Sequence, residues 1–173
     1  DVKARDWAQY SVGQMVKITK VKGKQITIHH PIRIDYEINL KPEVGKFTQI
    51  ENTGIESLSM ERKSRPGAGL NFNVYFHYAV NAWVKHVKSK RSVGSHVHIE
   101  QSSNIEVTDS YFHDAFDFSG NSTRGYGVIL SVHAGECLVE NNIFSALRHA
   151  MMVKQGANGN VIAYNYSRNP RRS

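Results

Sequence analysis

Side chains that can move a proton recur through the second half of the chain. Cleavage of an acidic polysaccharide by elimination needs a base beside the sugar carboxylate, a positive group or metal ion that neutralises that carboxylate, and an acid for the leaving oxygen. Histidine, lysine and arginine fill such roles when their pKa suits the working pH. The candidate catalytic residues are Lys154, His133 and His113 as bases and Arg148 as the neutralising cation.

Candidate substrate-binding residues follow from the alternation of apolar and polar residues along short segments. Side chains of a β-strand point to opposite faces in turn, so apolar residues that face a core place their neighbours outside. Adjacent strands lie about 4.8 Å apart, and equivalent outward residues therefore stack in columns. The predicted columns are His77, Glu100, Ser131 and Lys154, and beside them Tyr75, His98, Ile129 and Met152. The predicted binding residues are Tyr75, His77, His98, Glu100 and Tyr126. A merely solvated sheet surface is the alternative interpretation.

An inserted loop over residues 115–125 lies next to these columns and is rich in Asp, Ser, Gly and Asn. Asp114 and Asp117 could supply carboxylate oxygens to Ca²⁺, and His113 beside Asp114 could act as an oriented base. If the loop folds over the outward face, one cleft would gather the following side chains: Tyr126, His113, Asp117, His133, Arg148 and Lys154. A hydrogen-bonded loop without a site is the alternative.

Paired carboxylates are the other enzymatic option, because glycoside hydrolysis needs an acid and a base or nucleophile. The available carboxylates are Glu100, Asp114, Asp117 and Glu136. Sequence does not give their separations, so hydrolysis stays open beside elimination.

A repeat explains how these residues come to be positioned. The sequence contains four similar units, and each unit consists of two short strand-like runs. An apolar residue occupies the equivalent position of each unit: Val84, Val107, Val139 and Ile162. The spacings are 23, 32 and 23 residues, and the longer unit contains the inserted loop. Runs of this length are typical of strands rather than helices. Stacked coils of short strands predict a parallel β-solenoid. Asp109, Asn141 and Asn165, at the bends, are expected to form a structural ladder.

Three runs carry a family resemblance. Residues 103–112 (SNIEVTDSYF), 136–144 (ECLVENNIF) and 156–167 (GANGNVIAYNYS) resemble coils of the right-handed parallel β-helix proteins of the pectate-lyase-like superfamily. The resemblance covers roughly residues 50–169. It implies an all-β, right-handed parallel β-helix. The superfamily includes polysaccharide lyases, glycoside hydrolases, phage tailspikes and non-catalytic surface proteins, and no catalytic motif is carried over from it.

The first part of the chain differs from the repeat. Residues 12–21 alternate as a half-buried strand, 22–24 form a turn, and 25–31 return, so a small β-hairpin is expected before the solenoid. The predicted division is an amino-terminal β-segment over residues 1–46 and helical coils over 47–173. The chain begins at Asp1 without Met and ends directly after a repeat, so we expect a piece of a longer protein.

Composition and net charge indicate which classes of binding partner the chain favours. The formal net charge is +7, which favours polyanions. A nucleic-acid motif with interleaved aromatics is absent, so acidic polysaccharide is preferred over nucleic acid. The sequence contains no apolar run long enough to span a membrane. The single cysteine, Cys137, replaces an apolar residue within a strand and is expected to be a buried thiol.

Two functions are therefore predicted. The first is a secreted or cell-surface enzyme that acts on an anionic polysaccharide, by lyase-type β-elimination in preference to hydrolysis, with Ca²⁺ as a candidate cofactor. The alternative is a non-catalytic β-helix module that binds carbohydrate, serves as an adhesive, or forms a segment of a tailspike or surface assembly. Other segments of a longer chain could then cover its ends.

Overall fold

A computed structural model describes residues 8, 10–64, 71–120 and 123–172. These residues form an all-β structure with a short 3₁₀ turn at Ile38–Leu40. The strands, in chain order, are β1 (Ile18–Lys22), β2 (Gln25–Ile28), β3 (Ile50–Glu51), β4 (Gly54–Glu56), β5 (Ser59–Glu61), β6 (Phe72–His77), β7 (Ala79–Lys85), β8 (Lys88–Ser92), β9 (Ser95–Glu100), β10 (Ser103–Thr108), β11 (Tyr111–Ala115), β12 (Tyr126–Ser131), β13 (Leu138–Glu140), β14 (Ile143–Ser145), β15 (His149–Val153), β16 (Val161–Ala163) and β17 (Tyr166–Arg168).

Three parallel sheets contain all the strands after the hairpin. Sheet 1 has the order β16-β13-β10-β7-β3, with β4 also paired to β7; sheet 2 has the order β17-β14-β11-β8-β5; sheet 3 has the order β15-β12-β9-β6. The chain visits sheets 1, 2 and 3 in turn, and one such passage is called a coil below. Each strand thus pairs with its equivalent one coil away. The all-β prediction is confirmed, and the stacked parallel sheets are compatible with the predicted β-helix.

The pairing register reproduces the repeat found in the sequence. Val84 pairs with Val107, Val107 with Val139, and Val139 with Ile162. Ile55 pairs with Val84 and extends the same column by one coil toward the amino terminus. The extra residues of the long unit lie between β11 and β12, where the insertion was predicted. Residues 121 and 122 of that insertion lie outside the described residues.

The core runs along the inside of the stacked coils. Val84, Val107 and Val139 are completely buried, and the Phe112 and Phe144 rings stack with centroids 5.5 Å apart. Burying a side chain of this size contributes roughly 1.5–3 kcal/mol, so each coil adds to a continuous apolar column. Cys137 is buried as expected; burial raises the pKa of its thiol to about 12.

Asparagine side chains link the coils at the bend between sheets 1 and 2; Asn142 is buried and Asn165 is half-buried. Asn142 Nδ2 donates to the Val107 carbonyl at 2.8 Å, and its Oδ1 accepts from the Ser110 amide at 3.0 Å. Asn165 Oδ1 accepts from the Asn142 amide at 3.0 Å. Of the predicted ladder of Asp109, Asn141 and Asn165, the first two are joined between coils, since Asn141 Nδ2 donates to Asp109 Oδ1. Both are exposed, whereas Asn165 is joined to Asn142, which was not predicted.

The predicted hairpin is present, since β1 and β2 pair antiparallel around Gly23. Its strands are shorter than predicted, and β1 is exposed along its whole length rather than half-buried. Because no sheet packs on it, alternation there does not mark a buried face. Residues 1–7 and 9 of the predicted amino-terminal segment lie outside the described residues.

Candidate functional site

The predicted columns form on the outer side of sheet 3. Tyr75 pairs with His98 and His77 with Glu100. On the next strand, Ile129 pairs with His98 and Ser131 with Glu100. Met152 then pairs with Ile129, and Lys154 follows directly after β15, its amide donating to the Leu130 carbonyl at 3.0 Å. Short alternating strands with a fixed register therefore place these side chains next to one another.

Hydrogen bonds connect the face into one cluster. The Tyr75 hydroxyl donates to Glu100 Oε2 at 3.0 Å. His98 Nε2 lies 2.8 Å from Ser131 Oγ and 3.4 Å from Glu100 Oε2. The rings of Tyr75 and His77 are stacked with centroids 5.4 Å apart. We call Tyr75, His77, His98, Glu100, Ser131 and Lys154 the sheet 3 cluster.

Ionisation within the cluster is set by burial and by these neighbours. The hydrogen bond from His98 lowers the pKa of Glu100, and Tyr75 adds to the effect against partial desolvation. Desolvation, with the adjacent Glu100 carboxylate, raises the pKa of Tyr75 to about 12. Burial lowers the pKa of Lys154, and the Glu100 charge opposes that change. The cluster thus holds an ionised carboxylate, a protonated phenol and an amine that is easier to deprotonate than usual.

Much of this face is more enclosed than an open binding surface. His98, Ile129 and Ser131 are buried, whereas Tyr75 is 47% exposed. Alternation correctly assigned these residues to the side of the strand opposite the core. It did not reveal the packing on that side, where the Phe72 and His98 ring centroids lie 4.2 Å apart, because alternation within one strand does not show its contacts with other strands.

The Ser131, His98 and Glu100 contacts do not form a nucleophilic triad. Such a triad needs serine and carboxylate on the two different ring nitrogens of the histidine. Here both contacts involve Nε2, and Nδ1 is buried with no hydrogen-bond partner among the described residues. The Ser131 hydroxyl is also buried. The arrangement therefore orients His98 without activating Ser131.

His133 lies beyond the carboxyl end of β12 and contacts the amino-terminal segment. Its Nε2 is 2.8 Å from the Tyr10 carbonyl oxygen. The backbone at Gly13 passes so close to the imidazole that a Cβ there would lie 2.5 Å from the ring. His133 therefore helps to hold the amino-terminal segment against the turn that follows β12. Its predicted role as a base stays a prediction.

Arg148 and Tyr126 lie together at the opposite end of sheet 3. Arg148 Nη1 donates to the Ser119 carbonyl at 3.0 Å, and the guanidinium lies 5.5 Å from the centre of the Tyr126 ring. Tyr126 itself is buried. These contacts attach the inserted loop to the coil before β15.

His113 belongs to sheet 2 rather than sheet 3. Its Nδ1 lies 3.0 Å from Asp114 Oδ2, and its Nε2 is buried without a hydrogen-bond partner in the described part of the chain. Asp117 Oδ1 accepts from the Ser119 amide at 2.9 Å, and its other oxygen is 3.7 Å from Arg124 Nε. Within the described ranges, no group of three or more His, Cys, Asp or Glu is placed to hold a metal ion. The two aspartates already have protein partners, so calcium binding there stays a prediction.

The single cleft predicted for the candidate residues is not assembled. Arg148 precedes β15 and Lys154 follows it, which separates their Cα atoms by roughly 20 Å along an extended strand. His113 faces outward from another sheet. The structure brings together Tyr75, His77, His98 and Glu100, with Lys154 near Glu100, and separately Tyr126 with Arg148.

Sheet 1 has a groove that sequence reasoning missed. It has a volume of about 530 Å³ and is lined by Lys85, Glu106, Thr108, Asp109, Leu138, Glu140, Asn141 and Tyr164. Lys85 and Glu106 form an ion pair 2.5 Å long. The signal lies in the alternation of the second run of each repeat, from which only the ladder of Asp109, Asn141 and Asn165 was predicted.

Comparison with protein-family models, curated proteins and solved structures finds no match for this chain. Within the described ranges, no helix is long and apolar enough to cross a membrane.

Proposed function

We propose that the chain forms coils of a right-handed parallel β-helix of the pectate-lyase-like type. Three features support this assignment: strands that visit three parallel sheets in order, apolar columns continuous from coil to coil, and asparagine side chains that bond between coils at one bend. Regular stacking of short coils buries a shared core that no single coil could form.

We infer that the sheet 3 cluster acts on an anionic polysaccharide by β-elimination, with Lys154 as the base. The observation that carries this proposal is the half-buried Lys154 amine, whose pKa is lowered on a face shared with Tyr75, His77 and Glu100. In its neutral form the amine removes the proton next to the sugar carboxylate. The electron pair forms a carbon–carbon double bond as the glycosidic bond breaks, and the leaving oxygen takes a proton from Tyr75 or water.

The other roles follow from placement. Tyr75 is the most exposed aromatic of the cluster and offers its ring to the sugar. Arg148 is bonded to loop carbonyls at the far end of β15, so a cation that binds with the substrate would neutralise the carboxylate. The Lys154 substitution therefore tests the proposal more directly than an Arg148 substitution.

The first experiment is incubation with a panel of uronate polymers, with and without calcium, while the absorbance of the unsaturated product is followed. We expect Lys154→Met to abolish that absorbance and the exposed Lys24→Met to leave it unchanged. The rate of the parent protein should rise with pH, with a midpoint below the ordinary lysine pKa of about 10.4. Full activity in Lys154→Met, or no unsaturated product from any polymer, would overturn elimination. Reducing ends without absorbance would instead indicate hydrolysis by carboxylates.

A non-catalytic carbohydrate-binding or adhesive module is the second candidate. The burial of His98, Ile129 and Ser131 favours it, because a face whose polar groups bond to one another has few groups left for chemistry. Polymer binding without any new reducing end, by protein verified as folded, would select this function.

A further inference from the structure

The outer face of sheet 2 carries two rows of side chains that the sheet 3 cluster does not use. In the first row, Tyr111 pairs with Lys88 and with Ile143, which in turn pairs with Tyr166. In the second row, His113 pairs with Lys90 and with Ser145, which pairs with Arg168. The inward residues between the rows include Phe112 and Phe144, both completely buried. The rows therefore point away from the core.

Positive charge dominates this face. Glu61 is surrounded by three cations, with Lys63 at 2.5 Å, Lys90 at 3.4 Å and Arg91 at 3.3 Å. One carboxylate cannot neutralise three cations, so the edge of the face remains positive. Lys88 is exposed and has no ion pair within the part of the chain that the structure describes.

Arg168 adds a further cation at the other end of the face. It is exposed, and its guanidinium donates to the Tyr111 hydroxyl at 3.4 Å. The outer face of sheet 1 carries the opposite charge, because its residues include Glu56, Glu106 and Glu140 around Lys85. The positive character thus belongs to one face rather than to the whole surface.

Aromatic rings lie between these charges. The Tyr111 and His113 rings are stacked with centroids 4.5 Å apart and an angle of 17° between their planes. Tyr166 is 60% exposed two coils further along the same row. Aromatic faces pack well against the apolar faces of sugar rings, and their polar ends accept or donate hydrogen bonds.

We propose that this face, comprising Lys88, Lys90, Tyr111, Tyr166 and Arg168, is a second binding site for a linear anionic polysaccharide lying along the stacking direction of the coils. Neighbouring coils repeat at about 4.8 Å, so the row from Lys88 to Tyr166 extends over about 14 Å. Cations at the two ends of the face, with aromatic rings between them, suit a polymer with a carboxylate on each repeating sugar. Tyr111 is half-buried and one side of its ring is stacked on His113, which leaves little ring surface for the splayed bases of a nucleic acid.

The site does not depend on chemistry at sheet 3, and the test keeps the two proposals apart. Binding to polygalacturonate is measured by affinity electrophoresis in the Lys154→Met background, so that cleavage cannot consume the polymer. We expect the double substitution K88Q/R168Q to weaken binding about tenfold or more, since each charge-assisted contact is strong. Tyr166→Ser should weaken it as well, and added salt should act in the same direction.

Matched controls come from sheet 1. Lys85→Gln removes a lysine, and Tyr164→Ser removes an exposed tyrosine two residues from Tyr166; both should bind as the parent does. Unchanged binding by K88Q/R168Q, or equal weakening by the sheet 1 controls, would overturn the site. Equally tight binding of a single-stranded oligonucleotide through the same residues would overturn the choice of polysaccharide. Cleavage assays on the parent protein report on sheet 3 independently of either result.

Discussion

At the scale of single residues, His96 shows how neighbours set the protonation of a buried group. Its Nδ1 lies 2.8 Å from Ser89 Oγ, and its Nε2 lies 3.0 Å from the Asp114 carbonyl oxygen. Burial lowers the pKa of His96 to about 3, with the nearby His113 acting in the same direction and Asp114 against it. The folded protein therefore holds this imidazole neutral at physiological pH.

Protonation of His96 predicts a loss of stability in acid. In the unfolded chain the imidazole binds a proton below its ordinary pKa of about 6.5, while in the folded chain it stays neutral down to about 3. The contribution of the neutral His96 imidazole to the free energy of unfolding is therefore complete above about pH 6.5. It decreases by about 1.4 kcal/mol per pH unit as the pH falls from about 6.5 to about 3. His96→Gln should reduce the difference in unfolding free energy between about pH 7 and pH 5 by about 2 kcal/mol. Urea denaturation at both pH values measures it, with the exposed His86→Gln as control. An unchanged difference in His96→Gln would refute the account.

Prediction from sequence succeeded for neighbours that are set by the pairing register of the strands. It failed for neighbours that are set by the conformation of a turn. The columns of His77 with Glu100 and Tyr75 with His98 follow from alternation alone. Asn142 was missed, because sequence does not show which residue of an Asn-Asn pair takes the left-handed conformation and which turns its side chain into the bend. His96 was not singled out, since its partners come from other strands.

At the scale of elements, the bends between sheets 1 and 2 tie one coil to the next. Asn142 satisfies a carbonyl of an earlier coil and an amide of the bend, and Asn165 repeats the arrangement one coil later. A buried backbone group without a partner costs free energy comparable to a lost hydrogen bond. These side chains therefore help to keep the coils in register.

Removal of one ladder side chain should be costly. Asn142→Ala leaves the Val107 carbonyl and the Ser110 amide without these bonds. We expect a loss of about 2–4 kcal/mol in the free energy of unfolding, measured by urea denaturation. Asn141→Gly serves as control, because it removes the exposed neighbour and keeps a residue suited to positive φ. Equal losses in the two variants would show that the buried bonds are not the cause.

At the scale of the whole molecule, the amino-terminal segment packs against the turns that follow sheet 3. Arg33 Nη2 forms an ion pair with Glu136 at 2.6 Å, and Asn158 Nδ2 donates to the Gly13 carbonyl at 3.1 Å. Sequence predicted an amino-terminal β-segment before the coils but not these contacts, because patterns within one segment carry no information about which other segment covers it. The same limit explains why the columns were found while the burial of Ile129 and Ser131 was not.

The close approach of two backbones makes this packing testable at one glycine. Gly156 has a φ of +73°, and a Cβ there would lie 1.8 Å from the Ser11 carbonyl oxygen. Gly156→Ala should therefore displace the amino-terminal segment and speed hydrogen exchange of residues 10–17. Gly23→Ala is the matched control: its φ is +59°, so it bears a similar backbone strain of about 1–2 kcal/mol, but no atom lies within 4 Å of its Cβ. Faster exchange over residues 10–17 in Gly156→Ala alone would support the packing, whereas equal protection in both variants would contradict it. Since His133 contacts Tyr10 in the same region, loosening of the segment should also raise the accessibility of the His133 imidazole to chemical modification.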